Sequence, residues 1–373
     1  MAFLREENKE LVARSLDWKL HVLEGASTPR CRVDGKEVLM LCSNNYLGLA
    51  NHPRLKEEAV EAVHKYGAGS GSVRPIAGNM RLHVELEEKL ARFKRTEAAL
   101  VYQTGFAVNA GLIPQLAGQG DLIVSDELNH GSIIDGVRLS HAERTVYKHR
   151  DMNDLDKVLK EAEKKNYRRI LIITDGVFSM DGDIAPLDKI VSLAEEHGAM
   201  IYVDDAHGDG VLGENGRGIT SHFRVEGKVH VEMGTFSKAF GVVGGYAAGG
   251  RSLVNFAYNR SRTWLLSGSH PPAVVAACIA AIEVIENEPQ HLQRLWNNTK
   301  SFKKALKELG FDIGISETPI TPVIVGESSL ARRMSDRLFE EGIFALPIVF
   351  PMVSRDRARI RTIMNAALTS EDL

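Results

Sequence analysis

Ile170-Leu-Ile-Ile173 and Met200-Ile-Tyr-Val203 bracket the segment Leu187 to His197, and the reading of these three pieces decides the fold. Both short runs are apolar and rich in β-branched side chains, as buried strands are. Between them, Leu187, Ile190, Val191 and Ala194 recur at the spacing of one helix face. Strand, helix, strand predicts a parallel sheet covered by helices. Leu100-Val-Tyr102 and Leu122-Ile-Val124 read as further strands. Ligands of such sheets sit beyond the carboxyl ends of the strands. The segments expected there are Thr104-Gly105-Phe106, Asp126 to His130, Asp175 to Met180 and Asp204 to His207.

The chain has 373 residues, enough for a large core and, by size, two domains. Its 44% hydrophobic and 25% charged residues are ordinary for a globular protein. A net charge of −3 gives no bias toward nucleic acid or membrane. Cys31, Cys42 and Cys278 are far apart and form no CxxC pair, so neither a disulfide framework nor a zinc site is expected. The N-terminus is charged and lacks an apolar signal region, and no apolar run reaches roughly 18 residues. The expectation is a cytoplasmic enzyme with no metal.

A composition shift follows Pro271-Pro272. Ala273 to Glu288 is one helical pattern. Leu292, Leu295, Trp296, Phe302, Leu306 and Leu309 line a second helix that stops at Gly310. Val323-Ile-Val325, a helix from Ser329 to Glu341, and Phe344 to Phe350 complete a small α+β unit. The start, to about Val38, reads as an amphipathic helix and a short strand. The expected domains are an N-terminal arm (1–45) packed with the small domain, a large cofactor-binding domain (46–280), and a small C-terminal domain (281–373).

Thr235-Phe-Ser-Lys238-Ala-Phe-Gly supplies a lysine between small residues, just past an apolar segment. Asp204 ends an apolar strand. A lysine amine can hold an aldehyde as a Schiff base, and a buried carboxylate can keep a pyridine nitrogen protonated. Together they point to pyridoxal phosphate (PLP). Asp205 is excluded from this pairing by strand alternation, which points it to the other face. Thr104-Gly105-Phe106 opens a helix expected over Ala107 to Leu116, and free N–H groups there suit a phosphate. Taken alone, that segment serves equally as a plain strand–helix turn. The run Gly241-Val-Val-Gly244-Gly245 permits close backbone packing behind the lysine.

These motifs assemble into a pattern that resembles the α-oxoamine synthases, PLP-dependent transferases of fold type I. The resemblance runs from about Leu41 to Leu373. It is carried by Ser43-Asn44-Asn45-Tyr46-Leu-Gly-Leu, Gly69 to Gly78, His83 with Leu86-Glu87, Asp126-Glu-Leu-Asn129-His130, Thr174 to Gly182, Asp204-Asp-Ala-His207, Thr235-Phe-Ser-Lys238 and Arg359-Ile-Arg361. It implies an aspartate-aminotransferase-like α/β fold, with a mostly parallel seven-stranded sheet in the large domain and a small α+β domain. It also implies an acyl-CoA:amino acid C-acyltransferase.

Residue by residue, the resemblance gives Lys238, His130 and His207 catalytic roles. Thr104, Gly105, Phe106 and Thr235 would hold the cofactor phosphate. His130 would stack on the pyridine, Asp204 would meet its nitrogen, and His207 and Ser179 would lie at the phenolic edge. Ser267 would reach the phosphate from a partner subunit, making the unit a homodimer with its active site at the interface. Arg361 would bind the amino-acid carboxylate, with Asn44 nearby; only the family register selects it over Arg359. Arg74 would shape the acyl-CoA side, and Asp175 receives no firm role. The implied reaction has Lys238 remove the α-proton before the carbanion attacks the acyl thioester, releasing CoA, with or without loss of CO₂.

Within the family, Asn44 to Pro53, Val73-Arg74, Asp126 to Gly136 and Thr174 to Met180 look most like glycine C-acetyltransferase, which joins glycine and acetyl-CoA into 2-amino-3-oxobutyrate. The nearest alternative is 8-amino-7-oxononanoate synthase of biotin synthesis, using a pimeloyl thioester and alanine. An aldolase, lyase or aminotransferase on the same fold is the reading from another class. The chain departs from the family at Leu368, where relatives carry His, and in stopping at Leu373 before a last helix. The first departure puts the acyl-pocket rim or the packing of the small domain in question.

Overall fold

The computed structural model describes residues 1–13 and 17–373. The expected arm 1–45 includes residues 14–16, which lie outside the described residues. Two strands, β1 (Arg30–Val33) and β2 (Lys36–Met40), form an antiparallel hairpin. Its turn is Asp34-Gly35, both at positive φ (47° and 79°), the geometry a two-residue hairpin turn requires.

The large sheet takes β3 (Ala98–Tyr102), β4 (Leu122–Asp126), β5 (Glu143–Tyr147), β6 (Ile170–Asp175), β7 (Met200–Asp204), β8 (Val231–Thr235) and β9 (Gly245–Gly249). Their order is β3-β9-β8-β7-β6-β4-β5. Pairing is parallel from β8 through β5, while β9 runs antiparallel to both neighbours. This is the expected mostly parallel seven-stranded sheet. Helix Leu187–Glu196 crosses between β6 and β7 and buries Leu187, Ile190, Val191 and Ala194, as its periodicity required.

Both faces of the sheet are covered. Ile172, Ile201 and Val203 enter one hydrophobic core, while Leu171, Ile173 and Tyr202 enter another. Side chains that alternate along a strand thus have separate partners, which is why these runs are apolar throughout rather than at every second residue. One consequence is that the polar residues ending the strands also divide between the faces.

The C-terminal part contributes β10 (Ile320–Gly326), β11 (Ile343–Phe344), β12 (Leu346–Ile348) and β13 (Ala358–Ile363). β10, β13 and β12 form an antiparallel sheet, whereas β11 pairs in parallel with β2. The expected strand 344–350 is therefore split between two sheets. Helices Pro272–Asn287, Gln290–Glu308 and Ser328–Glu340 match the periodic segments. Leu368 is buried in the main core, and its carbonyl accepts from Asn298 at 3.0 Å. Its side chain thus serves packing. Among the described residues no helix is long and apolar enough to cross a membrane.

Candidate active site

Five strand ends converge on one cavity of about 210 Å³. β3 leads into Thr104, β4 into His130, β6 ends at Asp175, β7 at Asp204 and β8 at Thr235. Nine of the ten expected cofactor-binding residues line it: Thr104, Gly105, Phe106, His130, Ser179, Asp204, His207, Thr235 and Lys238. Ser267 does not, and stands half-buried outside the cavity of its own chain.

The phosphate end is built from backbone. Helix Gly105–Leu116 begins two residues earlier than its periodicity indicated, because Thr104 caps it by accepting from Ala107 N–H at 3.1 Å. Among the described residues the N–H groups of Gly105 and Phe106 have no acceptor. Gly245 of β9 lies directly behind; a Cβ there would stand 2.5 Å from the backbone of Thr104 and Gly105. Thr235 lines the same end and donates to the Gly244 carbonyl at 2.6 Å. An anion fits this cradle.

The acidic end is buried. Asp204 Oδ2 accepts from Asn109 Nδ2 at 2.8 Å, and Oδ1 accepts from Ala206 N–H at 3.1 Å. Asp205 turns to the opposite face, accepting from Ile219 N–H at 2.7 Å near the fully buried Lys94. Alternation therefore separates the two aspartates as expected. Asp175 stands opposite Asp204 in register and accepts from His130 N–H at 2.8 Å. Burial, then the Asp204 charge, drives its carboxyl well above the ordinary range.

Lys238 is accessible through the cavity mouth, yet desolvation holds its amine down to about 8, against the pull of Asp204 and Asp175. His130 caps helix Gly131–Leu139 by accepting from Ser132 N–H at 3.3 Å, so both its capping and its cavity-lining positions are real. Burial lowers its ring, as it does far more strongly for His207.

The arginines separate cleanly. Arg359 is buried and occupied by the carbonyls of Arg357 and Met180 and the carboxylate of Asp181. Among the described residues the Arg361 guanidinium makes one hydrogen bond, to the Ser179 carbonyl at 3.1 Å, and its charge reaches Lys238 and His207. Asn44 lies between Cys42 and Tyr46, both of which feel Arg361, and its carboxamide oxygen has no partner. Neither Asn44 nor Arg361 lines the cavity itself. Arg74 forks onto Glu87 with two bonds of 3.0 Å and donates to Asn79 at 2.7 Å.

Sequence reasoning passed over Asn109, Ser132, Ser237 and Tyr46. Asn109 is a wholly buried amide on the apolar helix Gly105–Leu116, and a polar residue in such a place is its signal. Tyr46 binds His207 at 2.8 Å. A group of possible metal ligands, His52, Glu288 and His291, lies elsewhere. There Arg294 donates to His291 Nδ1 at 3.1 Å. A guanidinium only donates, so the ring proton is on Nε2, facing Glu288, and offers a metal no lone pair.

Residues 36–373 match the family model described as aminotransferase class I and II. The chain is 59% identical to an 8-amino-7-oxononanoate synthase of Symbiobacterium thermophilum, covering 100% of this chain and 94% of the relative. It is 57% identical to the protein of that name from Thermoanaerobacter pseudethanolicus, with the same coverage. The structure resembles a serine palmitoyltransferase from S. paucimobilis with bound PLP, with a TM-score of 0.93, 31% identity, and 99% and 93% of the two chains covered. These relatives overturn the glycine C-acetyltransferase reading. The segments that suggested it are short, whereas identity this high extends over the whole chain. Residues that cradle a phosphate, a buried acid and a desolvated lysine in one cavity agree with the shared cofactor, PLP. The chain belongs to the aminotransferase class I and II family, among its PLP-dependent α-oxoamine synthases.

Proposed function

We propose that the protein is an 8-amino-7-oxononanoate synthase, condensing alanine with a pimeloyl thioester and releasing CO₂ and the thiol carrier. The observation that carries this reading is the identity of more than half of all positions, over the full chain, to proteins of that name. PLP bound at Lys238 supplies a ring that takes up electrons from the amino acid's α-carbon.

The chain's own residues divide the remaining work. Asn109 and the Ala206 N–H hold Asp204 where it keeps a ring nitrogen protonated. Lys238, once the substrate amine has released it from the cofactor, would take the α-proton, and burial, which lowers its amine to about 8, favours the free base. Arg361 has guanidinium N–H groups left over for a substrate carboxylate, whereas Arg359 commits Nε to the Arg357 carbonyl and Nη1 to the Met180–Asp181 turn and its charge to Asp181. The Asn44 carboxamide, whose buried oxygen has no partner among the described residues, would share that carboxylate. The new C–C bond forms between the alanine α-carbon and the thioester carbonyl, the thiolate leaves, and the carboxylate departs as CO₂.

The functional unit in this reading is a homodimer. Val73 bridges Gly268, so that Ile76, on the short helix Arg74–Gly78, and Leu266, exposed at 82% and 67%, each lie within three residues of that bridge, as does the half-buried Ser267. An apolar patch of that kind suits a protein partner, and it would carry Ser267 toward the other subunit's phosphate. The test is product identification: purified protein given alanine and pimeloyl-CoA should yield 8-amino-7-oxononanoate by mass, with one CoA and one CO₂ per turnover. CoA release without CO₂ would reject the reading.

A further inference from the structure

The Tyr46 hydroxyl lies 2.8 Å from Nδ1 of His207, with the rings edge-on at 83°. Both side chains are buried, at 1% and 8% exposure. Tyr46 is held by its backbone: its carbonyl accepts from Ala366 N–H at 2.8 Å, just beyond the strand that carries Arg361. The hydroxyl has no other partner among the described residues. If Nδ1 carried the ring proton and donated to Tyr46, the phenolic hydrogen would be a buried donor with no acceptor. Buried donors are rarely left so, because their desolvation is uncompensated. The phenolic hydrogen therefore goes to Nδ1.

Burial raises the Tyr46 hydroxyl and lowers the His207 ring well below its ordinary value, and the charges of Lys238, Arg361 and His130 further oppose protonation of that ring. The tyrosine keeps its hydrogen and the imidazole stays neutral. A neutral ring whose Nδ1 accepts must carry its proton on Nε2. Nε2 has no partner among the described residues, and His207 lines the Lys238 cavity.

We propose that Tyr46 is a positioning residue that fixes the Nε2–H tautomer of His207, so that the histidine offers a donor to an anionic oxygen of the cofactor. In the other tautomer the ring would turn a lone pair toward that oxygen and repel it. The cofactor half of this inference rests on the Lys238 cavity being the PLP site; the tautomer itself does not.

The experiment is nitrogen NMR of histidine-labelled, cofactor-free protein, with His207→Gln used to assign the resonance, alongside PLP titrations. Wild type should show the Nε2–H tautomer, and Tyr46→Phe, which keeps the ring and its packing, a mixture of the two. Tyr46→Phe should weaken PLP binding about tenfold, the loss of roughly one hydrogen bond. In the His207→Gln background, whose amide donates without help, the same change should matter less than about twofold. An Nδ1–H tautomer in wild type, or no change in Tyr46→Phe, would overturn the proposal. Equal losses in both backgrounds would make Tyr46 a packing residue and also overturn it. A tautomer shift in Tyr46→Phe with no loss of PLP affinity would uphold the tautomer and reject the cofactor half alone.

Discussion

Asn109 holds Asp204. Its amide nitrogen donates to Asp204 Oδ2 at 2.8 Å and to Ser132 Oγ at 2.9 Å, while its oxygen accepts from Tyr202 at 2.7 Å. Every polar atom of this buried side chain is used, and its orientation is fixed by three partners. Asn109→Ala removes a hydrogen bond to a charged acceptor, worth about 1.5–3 kcal/mol. PLP should bind roughly ten- to a hundredfold more weakly to the variant, read by titrating cofactor-free protein. Unchanged affinity would mean that Asp204 does not need this partner.

Arg361 and Arg359 should fail in different ways. Arg361→Ala should raise KM for alanine strongly while leaving the melting temperature nearly unchanged, since one carbonyl contact is all that it loses within the chain. A carboxylate deprived of a charged partner forfeits roughly 2–5 kcal/mol. Arg359→Ala strands the Asp181 carboxylate and two carbonyls and should lower stability instead. Steady-state kinetics and thermal melts on both variants decide it, and the reverse pattern would exchange the two roles.

Gly245→Ala should damage the phosphate cradle. The added methyl would lie 2.5 Å from backbone atoms of Thr104 and Gly105, which cannot swing aside as a side chain could. Overpacking of this kind costs typically 1–3 kcal/mol. The expected outcome is at least tenfold weaker binding of both PLP and inorganic phosphate to cofactor-free protein, measured by calorimetry.

His149 gives stability a pH dependence. It bonds Asp126 at 2.9 Å and Asp183 at 2.8 Å, tying the turn that carries His130 to the loop that carries Ser179. Burial opposes its charge, but these carboxylates win and raise the ring to about 9. Because the folded value exceeds the unfolded one of about 6.5, this contribution is complete below about 6.5 and is lost as pH rises through about 9. Melting temperatures should fall across that window in wild type, and His149→Gln should flatten the fall. An unaltered slope in the variant would assign it to other groups.

The sequence made the site's ends legible because buried strands and their polar termini leave short, local patterns. Asp204, His207 and His130 each end or follow such a run, and the sheet brings them together with Lys238. β8 was not legible: it contains Glu232, whose charge reads as exposed but is buried 3.2 Å from Lys94. β9 begins and ends with glycine, poor strand formers that are needed there because Gly245 abuts the phosphate turn and Gly249 abuts the His230 carbonyl. Tyr46 and Asn109 act through hydrogen bonds spanning 161 and 95 residues of chain, and no local pattern records such a partner. The pairing of Arg74 with Glu87 joins two quoted motifs that the sequence alone does not connect. The acyl preference was misread because it rested on four short segments, two of which, Asp126 to Gly136 and Thr174 to Met180, supply residues to the cofactor cavity that the family shares.

The substrate pair is the central claim, and one ratio tests it most directly. The value of kcat/KM for pimeloyl-CoA with alanine is to be compared with that for acetyl-CoA with glycine. Each buried methylene of the longer acyl chain can contribute about 0.8 kcal/mol, so a pocket built for pimeloyl should favour it by at least roughly a hundredfold. A ratio well above one is the predicted result. A ratio below one would contradict the assignment of this chain as an 8-amino-7-oxononanoate synthase.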